Sequence, residues 1–274
     1  MMEQAIPILM YHSVSNQAQA IFAPYCVAPD QFREQIAWLA GQGYHAVTVA
    51  HLIEALQTGS ALANKPILIT FDDGFLDFYT HALPILAEYN TPATLFVVTS
   101  YVSSTSRWLK NEGEEDRPML HWSHLNEIAR CGIECGGHSH THAELDRLDR
   151  AQAREEIGLC KRLLEDHLGR PVASFAYPFG YYDRPLKAIV REAGYHGACA
   201  VRHSASFRGD DLFALRRMMV SRDMTLEQFA RLVSRGSSRW VRAARDIRET
   251  AATVLRRRSL LPRPQYRSEP ANHD

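Results

Sequence analysis

Short apolar runs recur along this chain, and each is followed by a segment with helical spacing. Ile8-Leu9-Met10-Tyr11 predicts a buried strand, and Pro29-Asp30 opens a helix that places Phe32, Ile36 and Leu39 on one face. Ala46-Val47-Thr48-Val49 reads as the next strand. Pro66-Ile67-Leu68-Ile69-Thr70-Phe71 is apolar on both faces, as strands of parallel sheets are. A helix through Leu86 and a strand over Ala93-Thr94-Leu95-Phe96-Val97-Val98 follow. Residues 100–120 are polar and break the alternation, reading as an insertion or a substrate-side loop. The rhythm resumes with a helix over Ser123–Arg130 and a strand about Ile133. A capping-box-like start at Asp149-Arg150-Ala151-Gln152 then opens a long helix that Gly169 and Pro171 end. Val172–Ala176, a helix to Ala193 and Gly197–Val201 complete the pattern. Repeated strand–helix alternation predicts an α/β fold with parallel strands. No glycine-rich phosphate turn follows the first strand, so a distorted (β/α) barrel is favoured over an open dinucleotide-binding sheet.

Composition is compatible with one large core. The chain has 274 residues, 46% hydrophobic and 23% charged, which excludes a disordered polypeptide. No run approaches the roughly 18 apolar residues of a membrane span, and the N-terminus lacks the pattern of a secretory signal. A cytoplasmic protein is the expectation. Cys26, Cys131, Cys135, Cys160 and Cys199 are odd in number and lack framework spacing, as reduced thiols would be; Cys131 and Cys135 read as small buried apolar residues.

Charge divides the chain into a body, 1–238, and a tail, 239–274. The body holds 22 Lys and Arg against 27 Asp and Glu. From Arg239 to Arg267 nine arginines face two acids, Asp246 and Glu249, a local net of +7. Trp240, Ala244, Ile247, Ala251 and Val254 fall at helical spacing there. The tail therefore suits either a closing helix packed on the barrel or a peripheral contact between Arg256-Arg257-Arg258 and the anionic inner face of a membrane.

Three polar clusters end predicted strands. Thr70-Phe71-Asp72-Asp73-Gly74 puts adjacent carboxylates where a barrel carries its chemistry, although such a pair also suits a solvated turn. Gly137-His138-Ser139-His140-Thr141-His142 offers imidazoles four apart, the spacing that puts two ligands on one face of a helical turn; His140 need not face the same way. Ala176-Tyr177-Pro178-Phe179-Gly180 is a turn that can aim a backbone N–H at an oxyanion. Together they supply metal ligands, a spare carboxylate and an oxyanion donor, the components of metal-assisted hydrolysis.

With these motifs, from Ile8-Leu9-Met10-Tyr11-His12 to about Phe229, the chain resembles the polysaccharide deacetylases, the NodB-homology or carbohydrate esterase 4 family. The resemblance implies a distorted (β/α) barrel that removes acetyl groups from carbohydrate with a divalent metal, usually zinc. It implies Asp72 as general base, Asp73, His138 and His142 as metal ligands, and the Phe179 N–H as oxyanion donor. The family's usual arginine in the third motif is replaced by Ala176, and Arg217 resembles the arginine that some members supply later, orienting Asp72. A late Leu-x-His segment is absent, which leaves His12, at the end of the first strand, as candidate acid. The expected partner is an acetylated carbohydrate and not nucleic acid. Rival readings are a hydrolase of non-sugar amides and a glycan-binding barrel without catalysis.

Overall fold

The computed structural model describes residues 5–235. The proposed boundary at 238 and the basic tail, with both of its readings, lie outside the described residues. Seven parallel strands close on themselves: β1 (Ile8–Tyr11), β2 (Pro66–Phe71), β3 (Thr94–Val97), β4 (Glu134–Gly137), β5 (Ser174–Ala176), β6 (Gly197–Val201) and β7 (Leu215–Met219). Each pairs with its neighbour in sequence, and β7 returns to β1 with Met218 opposite Leu9. This is the expected distorted (β/α) barrel, one strand short of eight.

Helices cover the outside. They are α1 (Pro29–Gly41), α2 (Val49–Thr58), α3 (Leu83–Glu88), α4 (Trp122–Arg130), α5 (Arg150–Leu168), α6 (Arg184–Glu192) and α7 (Leu226–Arg235). The start and stop signals act as read: Pro29 opens α1, Asp149 and Gln152 form a reciprocal capping box on α5, and Gly169 ends α5 in the left-handed conformation at φ 63°. The helix read through Leu86 divides into a π-helical turn, Phe78–Ala82, and α3. Outward residues of the strands, among them Leu9, Ile69, Leu95 and Phe175, bury themselves against these helices.

The segment Ala46–Val49 departs from its expected strand. Only His45–Ala46 pairs, alongside Pro66–Ile67, after which Thr48 caps α2 by accepting from the His51 N–H. Apolar alternation in four residues cannot separate a strand from a helix start. Helix α2 closes the barrel floor: Val49, Leu52 and Ile53 pack with Leu68, Phe96, Cys199 and Leu215. Its first turn is tied to the strand starts, the Val49 N–H donating to Thr94 Oγ1 and the Ala50 N–H to the half-buried Glu134 carboxylate. Inside, Phe96 fills the space opposite Gly136, where an added Cβ would stand 2.7 Å from the ring. With the floor plugged, chemistry is confined to the opposite end, where the strands terminate.

The cysteines are all free, but Cys131 is exposed at the end of α4 and not buried as its composition suggested. Cysteine burial follows tertiary position, which a helix terminus decides. Among the described residues no helix is long and apolar enough to cross a membrane.

Candidate active site

Strand β2 delivers two carboxylates to one place because its end is bent. Successive side chains of an extended strand face opposite ways. The Asp72 N–H still donates to the Tyr11 carbonyl, but Asp73 turns left-handed, φ 78°, and Gly74 follows at φ 89°. The break in alternation leaves both side chains in the wall of one cavity of ≈ 320 Å³, and both residues are 3% exposed. Such backbone is uncommon for a residue with a Cβ and is held by its surroundings.

The histidines follow β4 on a loop, not on the helical turn their spacing suggested. Ser139 and His142 are left-handed, φ 62° and 61°, and this doubling back, not a 3.6-residue period, brings the two rings to within 5.0 Å. His138 Nε2 stands 3.5 Å and His142 Nε2 3.4 Å from the same oxygen, Asp73 Oδ1. His140 turns away and bonds Thr99 Oγ1 through Nδ1. His138 Nδ1 lies 2.8 Å from the Ala176 carbonyl, which fixes the ring with Nε2 toward the acids.

The donor set fits a divalent cation. Asp73 Oδ1 is buried without a hydrogen-bond donor, and one atom from each of Asp73, His138 and His142 falls within 4.8 Å of the others. Donors about 2.0–2.1 Å from a shared tetrahedral ion would stand about 3.3–3.4 Å apart, close to the separations observed. Protonation favours the same use. Burial, then the charge of Asp72, pushes the Asp73 carboxyl up, whereas burial pushes both imidazoles down, keeping them neutral and able to ligate. A cation placed here would relieve the buried carboxylate, so metal uptake and proton release are coupled.

Asp72 is held differently. Arg217, fully buried, enters the barrel interior from β7 and donates to both oxygens, Nη1 to Oδ1 at 2.6 Å and Nη2 to Oδ2 at 2.7 Å. Burial would raise the Asp72 pKa, but the charge of Arg217 and its two hydrogen bonds outweigh it and hold the group well below the usual carboxylate range. The third motif forms the cavity's far wall. Phe179 is left-handed, φ 59°, and the turn's own bonds run from the Gly180 N–H to the Tyr177 carbonyl and from the Tyr181 N–H to the Pro178 carbonyl, without using the Phe179 N–H. His12 lines the same cavity at the end of β1 beside Tyr25; burial lowers its pKa to about 4.

The family model for polysaccharide deacetylases matches residues 59–198, which carry all three motifs. The chain belongs to the polysaccharide deacetylase family. It is 28% identical over 224 residues to YxkH of Bacillus subtilis (strain 168), which bears the name of a polysaccharide deacetylase, covering 82% of this chain and 74% of that one. It is 26% identical over 258 residues to the poly-beta-1,6-N-acetyl-D-glucosamine N-deacetylase of Escherichia coli (strain K12), covering 82% of this chain but 38% of that enzyme's length. Its fold superposes on the Streptococcus pyogenes deacetylase PplD in complex with acetate with a TM-score of 0.73 and 25% identity, over 85% of this chain and 99% of that one. His12 and Arg217 lie outside the span matched by the family model and reach the deacetylase motifs only through barrel closure.

The cavity also contains residues that sequence reasoning missed. Trp108, Leu109 and Glu112 come from the 100–120 excursion, which therefore forms a wall of the cavity, and Phe22, Tyr25, Tyr181 and His203 also line it. The signal available was Trp108-Leu109 standing apolar within a polar stretch. Arg117 anchors this wall through Asp77 and Glu114, beneath the rings of Phe22 and Phe75.

Replacing His138 or His142 with alanine leaves two protein donors. Elemental analysis is expected to show near-complete loss of metal from both variants; full occupancy in either would refute this ligand set.

Proposed function

We propose that this chain is a zinc-dependent hydrolase that removes N-acetyl groups from a glycan. The observation that carries the reading is the convergence of Asp72, Asp73, His138 and His142 on one cavity beside the Phe179 turn. The relatives' names support acetylated polysaccharide as the substrate class. Three exposed aromatics, Tyr25, Phe179 and Tyr181, rim the opening and suit the apolar faces of sugar rings.

Asp73, His138 and His142 would hold the metal, which when bound lowers the pKa of water and polarises a carbonyl. The protein's own groups do the rest. Asp72 accepts the proton from the attacking water, its carboxylate kept ionised and oriented by Arg217. The Phe179 N–H donates to the oxygen that gains charge as the carbonyl carbon becomes tetrahedral. His12 delivers a proton to the departing amine. Its ring is neutral at rest; negative charge developing beside it lets it take up a proton, which it passes to the amine. Asp72 meanwhile releases the proton it took from water, so that both groups return to their starting forms.

Acetate release from N-acetylglucosamine oligomers tests the whole reading. Turnover that disappears with a chelator and returns with zinc is expected; a zinc-loaded protein that releases no acetate from any acetylated glycan would refute it. His12→Ala isolates the acid step, with an expected loss of about 10²–10⁴-fold on the amide. Activated aryl acetates, whose leaving group needs no proton, should lose far less. Equal losses on both substrates would make His12 a structural residue.

A further inference from the structure

A carboxylate outside the barrel is aimed at the histidine loop and has no part in the chemistry above. Glu156, near the start of α5, accepts from the His140 N–H at 3.0 Å and the Thr141 N–H at 2.8 Å through Oε2, and from the Thr141 hydroxyl at 2.7 Å through Oε1. All three bonds fall on the residues between His138 and His142. The loop needs such a hold, because left-handed backbone at Ser139 and His142 is unfavourable for residues with a Cβ.

The two histidines are also supported unequally. His138 is oriented through its own ring, by the contact between Nδ1 and the Ala176 carbonyl. His142 Nδ1 is buried and has no protein acceptor. A metal-binding imidazole usually gains its orientation from a hydrogen bond at the second ring nitrogen. For His142 the orientation comes instead from packing against Trp108 and Phe179, with ring centroids 5.5 and 4.7 Å away, and from the backbone that carries it. That backbone is fixed by the Ser139 hydroxyl, which accepts from the His142 N–H, and by Glu156.

We propose that Glu156 is a positioning residue of the metal site: by holding His140 and Thr141 between the left-handed residues Ser139 and His142, it keeps His142 Nε2 in place and sets metal affinity. The inference rests on the reading of Asp73, His138 and His142 as ligands. It concerns binding strength and not the identity of the ligands. A glutamine at 156 keeps the size but offers one acceptor oxygen where three donors converge, and its amide N–H₂ faces a donor.

The test is zinc titration of the metal-free full chain against a competing chelator. Wild type, Glu156→Gln, Glu156→Ala and Thr141→Val are compared, with His138→Ala in parallel. Both Glu156 variants are expected to bind zinc about 10–100-fold more weakly, and Thr141→Val, which removes one of the three bonds, by a smaller factor. Glu134→Gln is the control for general loss of stability. Glu134 holds the barrel floor through the Ala50 N–H and the hydroxyls of Thr94 and Ser174, so its replacement should lower the melting temperature without changing zinc affinity. Wild-type affinity in both Glu156 variants, or equal weakening by Glu134→Gln, overturns the proposal. Full binding by His138→Ala would instead overturn the ligand set on which it rests.

Discussion

Asp72→Asn is expected to lower kcat for acetate release by about 10²–10⁴-fold while metal content stays at the wild-type level. The amide has no basic oxygen at neutral pH, whereas the proposed metal ligands Asp73, His138 and His142 are untouched. The asparagine carbonyl keeps one acceptor for Arg217, so a melting curve and metal analysis on the same sample separate lost chemistry from lost folding. Wild-type turnover would show that Asp72 is not the base, and loss of metal would show that the two aspartates have been assigned the wrong way round. The pH profile adds a second reading. Because Arg217 holds the Asp72 pKa well down despite burial, acidification should reach the proposed metal ligands first. Burial and Asp72 raise the Asp73 pKa, so protons compete with metal there, and the acid limb of activity should follow metal release.

Arg217→Met should be the most destabilising single change at this end of the barrel. Arg217 and Asp72 are both buried, and removing one partner of such a pair costs about 3–5 kcal/mol because the other charge is left uncompensated. That is a large share of the roughly 5–15 kcal/mol that holds a typical domain folded. Urea unfolding of the metal-free protein measures it, and pH gives the sign. In wild type the depressed Asp72 pKa contributes stability above the unfolded carboxylate value, and that contribution is lost as pH falls through the folded value. In the variant, burial and Asp73 would instead raise the Asp72 pKa, so the deficit should be greatest at neutral pH and shrink under acid. The double variant Asp72→Leu/Arg217→Met removes both charges and should recover much of the loss. A single variant as stable as wild type would mean that the pair is solvated in solution.

The motifs and the strand–helix order were legible because they are local. An apolar run such as Pro66–Phe71, a capping pair such as Asp149 and Gln152, and a stop such as Gly169 act through residues a few positions apart. The same locality misled where one pattern serves two conformations. Ala46–Val49 reads as a strand but leads into α2, and the four-residue spacing of His138 and His142 suits a helical turn but is produced by two left-handed residues. Trp108 and Glu112 gave little warning, since a polar excursion does not disclose which of its side chains fold back over a site. Glu156 gave none: on a long amphipathic helix it is one acid among several.

By itself, then, the sequence determined an α/β barrel, the strand ends that carry chemistry and the donor types available for a metal. Their division of labour was decided only in three dimensions. Barrel closure brings Arg217 to Asp72 across 145 residues, and this contact makes one of two adjacent carboxylates a persistent anion while its neighbour is left buried with an unsatisfied oxygen. Chemically identical side chains next to each other in the chain acquire different pKa values because charge, burial and hydrogen bonding act through space, and no local pattern encodes those distances.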